Sequence, residues 1–185
     1  MHKGWIEPFA KIAIFTFLFL SCSLVYAQEW TRIDGEACII EYEQGVDLSK
    51  LERKLDLRSV DVMGFRRDLI GLSTPERLAE KVEIAARKVK QILNMHPVGY
   101  EVQIKVFKDR RALQDCYEDI FGQKKNIISF YVYKHNTIYT SQSDISEHVL
   151  AHELAHSIID HYFVILPPEN IAEMLAIYVD SHLKD

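Results

Sequence analysis

Residues 147–162 read Glu-His-Val-Leu-Ala-His-Glu-Leu-Ala-His-Ser-Ile-Ile-Asp-His-Tyr, and His152-Glu153-Leu154-Ala155-His156 within them has the spacing H-E-x-x-H. Residues four apart lie on neighbouring turns of one helix face, so both imidazoles reach a single ion while Glu153 leans toward a water on it. The same stretch has a plainer reading. His148, His152, Glu153, His156 and Asp160 also form the wet stripe of an amphipathic helix whose Val149, Leu150, Leu154, Ala155, Ile158 and Ile159 are buried.

Downstream sequence separates the two readings, because a catalytic zinc takes three protein ligands and keeps one position for water. The extended form H-E-x-x-H-x-x-G-x-x-H is excluded: Ile159 stands at the glycine and Tyr162 at the third histidine, with His161 one residue early. A glutamate on a second helix is the other solution. Pro167-Pro168-Glu169-Asn170-Ile171-Ala172-Glu173-Met174-Leu175-Ala176-Ile177-Tyr178 supplies two candidates after a loop set by two prolines. Asp180, seven residues beyond Glu173, falls on the same helical face, either behind a ligand histidine or simply in solvent.

This second segment resembles the N-E-G-x-A-E-Y helix of gluzincin metallopeptidases. In that alignment Glu173 takes the place of the ligand glutamate and is preferred over Glu169. Ala176 and Tyr178 match later positions, while Met174 replaces a glycine and Ile177 a second glutamate. The resemblance covers Ile39 to Leu183 in outline, with specific matches in the last forty or so residues. It implies an α+β, zincin-like domain whose mixed sheet has an edge strand, here Ile138-Tyr139-Thr140, packed on the H-E-x-x-H helix and followed by the Glu-bearing helix. It further implies Zn2+ on His152, His156 and Glu173, with Glu153 as general base in the cleavage of a peptide or protein substrate paired along the edge strand. Met174 in place of glycine implies a wider packing of the two helices there. A zinc-containing but non-catalytic protein-binding module, and an amidase acting on a non-peptide bond, share these residues. Tyr162, His161, Tyr178 and His182 lie near enough in sequence to serve as oxyanion donors, and nothing singles one out.

Upstream, strand and helix patterns alternate. Ala37 to Tyr42 is β-branched and aromatic and stops at Gln44-Gly45. Leu48, Leu51 and Leu55 recur at helical spacing in 47–57, with Asp47 or Ser49 as cap, and 58–73 reads as loop. Thr74-Pro75-Glu76 is a helix start with proline at the first position, opening a long amphipathic helix to about Met95. Glu101 to Phe107 alternates as a half-buried strand, 110–121 is a helix, and the runs 127–133 and 137–140 form a hairpin.

At 48% hydrophobic and 26% charged, the chain suits one domain with a true core over residues 28–185. Before it, Lys3 and Lys11 precede the apolar run Ile12–Leu20, and Val25-Tyr26-Ala27 suits cleavage, so residues 1–27 read as a secretory signal. The run ends at Ser21, short of the ~20 residues of a spanning helix. Export to the periplasm or the extracellular medium follows, with membrane contact only through this segment if it stays uncleaved. Its removal takes away two Lys and one Glu and leaves 20 basic and 26 acidic side chains, a formal net of −6 that argues against a nucleic-acid partner. Cys38 and Cys116 remain, either paired or as two small hydrophobes.

Overall fold

A strand precedes the first one read from the sequence. The structure, a computed structural model, describes residues 29–57 and 69–184; the expected signal segment and most of the loop 58–73 lie outside them. In order, the elements are β1 (Trp30–Asp34), β2 (Cys38–Glu43), α1 (Leu48–Lys54), α2 (Thr74–Leu93), β3 (Val102–Phe107), α3 (Arg110–Phe121), β4 (Ser129–Val132), β5 (Thr137–Ser141), α4 (Glu147–Tyr162) and α5 (Glu169–His182).

Local chemistry explains the helix ends. Asp47 caps α1 by accepting from the Lys50 N–H at 3.1 Å. The cap of α2 sits one residue earlier than the sequence suggested: Ser73 precedes the helix, and its N–H and hydroxyl both donate to the Glu76 carboxylate at 2.7 Å. At α4 the cap is Ser146, whose Oγ accepts from the Val149 N–H, while Asp144 pairs with the Arg110 guanidinium. Asn94, at φ 51°, takes the left-handed conformation that closes α2.

The five strands form one mixed sheet in the order β1-β2-β3-β5-β4. β2, β3 and β5 run parallel in the middle, and the antiparallel β1 and β4 lie at the edges. This corrects the expected edge strand. Ile138-Tyr139-Thr140 belongs to β5, which is interior and buried along its whole length; β4, which folds back from it as the expected hairpin, is the edge. An uncharged Thr-Ile-Tyr-Thr-Ser strand suits a position covered on both faces, whereas the half-buried β4 tolerates an open side.

Alternation divides the sheet's side chains between two layers. Cys38, Ile40, Val102, Ile104, Val106 and Ile138 face α2 and α4 in the main core, which also takes in Ala176 and Val179 of α5. Phe107 and Tyr139 face Leu113 of α3 on the other side. The two cysteines belong to opposite layers and are both free thiols. Glu83 of α2 is buried, and its Oε1 accepts from the N–H groups of Ala37 and Cys38 at 2.7 and 2.8 Å, tying α2 to the start of β2.

Candidate metal centre

α4 buries Leu150, Leu154, Ala155, Ile158 and Ile159 as read from its sequence, together with Ala151, Glu153 and Ser157, while Val149 is only partly buried. That packing turns His152 and His156 toward α5, whose Glu173 meets them. His152 Nε2 and His156 Nε2 lie 3.2 Å apart. Glu173 Oε2 is 3.7 Å from the first and Oε1 is 3.4 Å from the second. Two donors ~2.05 Å from a tetrahedral zinc are separated by about 3.3 Å; the imidazole pair is close to that, the two carboxylate spacings belong to different oxygens of Glu173, and one ligand atom from each residue lies within 4.8 Å of the others. Glu169 does not join the group: among the described residues the only such set of three or more potential ligands is His152, His156 and Glu173.

The protonation pattern fits a cation as well. Asp180 Oδ2 is 3.1 Å from His152 Nδ1. A carboxylate only accepts, so Nδ1 carries the hydrogen, and in the neutral ring the His152 lone pair is then on Nε2, toward His156. Either a proton on His156 Nε2 or a cation must then separate two lone pairs. Burial holds His156 below the usual imidazole range, with Glu173 pulling the other way, and a neutral imidazole is the form that ligates a metal.

Glu153 is 6% exposed and its Oε1 accepts from the Ser129 hydroxyl at 2.5 Å. Burial pushes its carboxyl up to about 7; the Ser129 bond and His152 oppose the rise, while Glu173 and Asp180 add to it. Ser129, the hydrogen-bond partner of Glu153, was not among the residues read from the sequence. It is the one small polar residue in the apolar run 127–133, and that break in pattern was the available signal.

Two clefts meet at Ser129, His152 and Glu153. One is bordered by Asn126, Ile127, Ile128 and Val149, the other by Phe121, Phe130, Tyr131, Asp160 and Glu169. The second runs along β4 at Ser129, Phe130 and Tyr131 and takes in His156 and Glu173; the first meets the strand at Ser129 alone. None of the four nearby oxyanion candidates borders either cleft. His161 stacks edge-on against Tyr100, and Tyr178 lies against His182.

Met174 and Ile177 stand out in solvent, at 63% and 58% exposure. Ala176 and Val179 of the same helix are fully buried in the main core. No protein-family model, curated protein sequence or solved structure matches this chain.

Proposed function

We infer that this chain is a zinc-dependent hydrolase of zincin-like, gluzincin type that cleaves peptide bonds. The observation that carries the reading is the triangle of His152, His156 and Glu173 donors at zinc-ligand spacing, with the buried Glu153 beside it. Bound there, zinc would supply Lewis acidity to a water and to the scissile carbonyl.

The chain's own residues have separable tasks. His152, His156 and Glu173 hold the ion, and Asp180 orients His152. Glu153 accepts a proton from the attacking water and delivers it to the leaving amine, which restores its carboxylate. The free side of β4 offers backbone groups to an extended substrate, which would pair with it as an added strand and lie in the groove across the site. Strand pairing uses the backbone of a peptide, which favours that substrate over other amides.

A second reading keeps zinc in a non-catalytic protein-binding module. It draws on the outer face of α5, where Ile171, Met174, Ile177 and Tyr178 are all exposed, an apolar surface suited to a protein contact. One experiment separates the two: zinc quantification beside a peptide-library digest of wild type and Glu153→Gln. The hydrolase binds one zinc per chain in both forms and loses cleavage by at least ~100-fold in the variant. Stoichiometric zinc with no cleavage by the wild type supports the binding module instead, and an unchanged rate in the variant removes Glu153 as base.

A further inference from the structure

Ser129 and Glu153 come from different layers of the fold, one from the edge strand and one from the helix that carries the metal ligands. Ser129 opens β4 opposite Thr140, and the rest of that strand, Phe130-Tyr131-Val132, is aromatic or apolar. Its Oγ donates to Glu153 Oε1 at 2.5 Å, in the short range of hydrogen bonds to a carboxylate. The bond engages Oε1 of the carboxylate and leaves Oε2 outside it. One oxygen is therefore held and the other is open to a reacting proton.

The geometry points to Ser129 as a positioning residue for the base: its hydroxyl fixes the carboxylate of Glu153 relative to β4, the strand along which a substrate would pair. The inference rests on the hydrolase reading above. Its consequence is a mechanical link between substrate and base. A peptide registered on β4 is registered on the element that also sets where Glu153 stands, and a freely turning carboxylate would lose that alignment. Binding of the peptide backbone, in contrast, does not use the Ser129 hydroxyl. Removing the hydroxyl is therefore expected in kcat and not in KM.

The test compares zinc-loaded wild type, Ser129→Ala, Ser129→Thr and Ser129→Cys. Two readouts are used: cleavage of a peptide found in the library digest, and calorimetric binding of acetohydroxamate, a zinc chelator that gives up its hydroxyl proton to a neighbouring base. Ser129→Ala is expected to keep one zinc per chain and its melting temperature, to lower kcat about 10- to 100-fold with KM within twofold, and to bind acetohydroxamate about tenfold more weakly. Ser129→Thr, which keeps the hydroxyl, should return both readouts to within about threefold of wild type. Should Ser129→Ala fail to fold, Ser129→Cys carries the same expectation, since a thiol is a poor donor of similar size.

A kcat for Ser129→Ala within twofold of wild type overturns the inference, as does a loss that Thr does not restore. A wild-type protein that binds zinc but cuts no peptide ends the hydrolase reading alone, and the hydroxamate series then decides Ser129. A protein that binds no zinc ends both.

Discussion

Asp180 holds His152 from behind: its Oδ2 accepts the Nδ1–H of the imidazole at 3.1 Å, across the seam between α5 and α4. The two residues are 28 apart in sequence, yet this contact decides which nitrogen of His152 faces Glu173 and His156. Carboxylates in this position typically contribute 10- to 100-fold in metal affinity. Asp180→Ala should therefore weaken zinc binding by about that factor, measured by competition with a chromophoric chelator, while the helical circular dichroism of the zinc-loaded protein stays unchanged. Equal affinity in the variant would show that the contact is incidental.

Glu173 and Glu169 are one helical turn apart on α5 and both border the same cleft, but only Glu173 reaches the two imidazoles. On the proposed zinc reading, Glu173→Ala should remove one ligand of three and leave His152 and His156 unable to retain zinc through dialysis. Glu169→Ala should keep it. The reverse outcome, metal lost from the Glu169 variant and kept by the other, would reassign the third ligand.

Met174 occupies the position at which the gluzincin pattern has glycine, and in this fold it points to solvent. Replacing it with glycine therefore removes a largely exposed side chain. What remains is the cost of glycine inside a helix, about 1 kcal/mol. Met174→Gly is expected to lower the urea midpoint by a corresponding amount with zinc content and cleavage rate unaltered. An increase in activity would mean that the methionine obstructs the site after all.

These outcomes follow from parts of the molecule that differ in how readable they were from sequence. The faces of α2 and α4 were legible because period 3.6 binds apolar residues to one side, and the His152–His156–Glu173 set because donor type and helical spacing are local properties. Asp180 was within reach for the same reason, two turns from Glu173. The strand β1 was not: Thr31, Arg32 and Asp34 are exposed, and Arg32 pairs with Asp34, so Trp30 and Ile33 alone carry its apolar signal. The hairpin itself was legible, but not which of its strands lies outside, since turn chemistry sets pairing and not the place of the pair in a sheet. Ser129 escaped because its partner is 24 residues away on a helix, and no local pattern records that meeting.

Glu83 is a buried carboxylate whose single oxygen, Oε1, satisfies two backbone N–H groups at the start of β2. Gly35 approaches it so closely that an added Cβ would stand 2.6 Å from the same oxygen, which shows how tightly this corner is filled. Glu83→Ala leaves both donors buried without an acceptor and should cost about 2–3 kcal/mol. Glu83→Gln retains an amide oxygen at the same place and should cost about 1 kcal/mol. Urea unfolding of the two variants checks the order; equal losses would mean that side-chain volume, and not the hydrogen bonds, matters at this site.

Asp144 joins the loop before α4 to the start of α3 through the Arg110 guanidinium, whose Nε lies 3.0 Å from both carboxylate oxygens. The bond to Arg110, aided by the hydroxyls of Ser141 and Ser143, holds the Asp144 carboxyl down at about 2, below its ordinary 3.8. A folded-state value below the unfolded one means that ionised Asp144 stabilises the fold fully above about pH 4 and loses that contribution as the pH falls from there toward 2. Because Arg110 is about half exposed, screening reduces the effect to roughly 1–2 kcal/mol. Asp144→Asn should accordingly be less stable than wild type by that amount at pH 7, with the gap narrowing between pH 4 and pH 2 as wild type loses its own charge. Urea midpoints across this range measure it, and a gap that stays constant with pH would trace the loss to packing instead of to the ion pair.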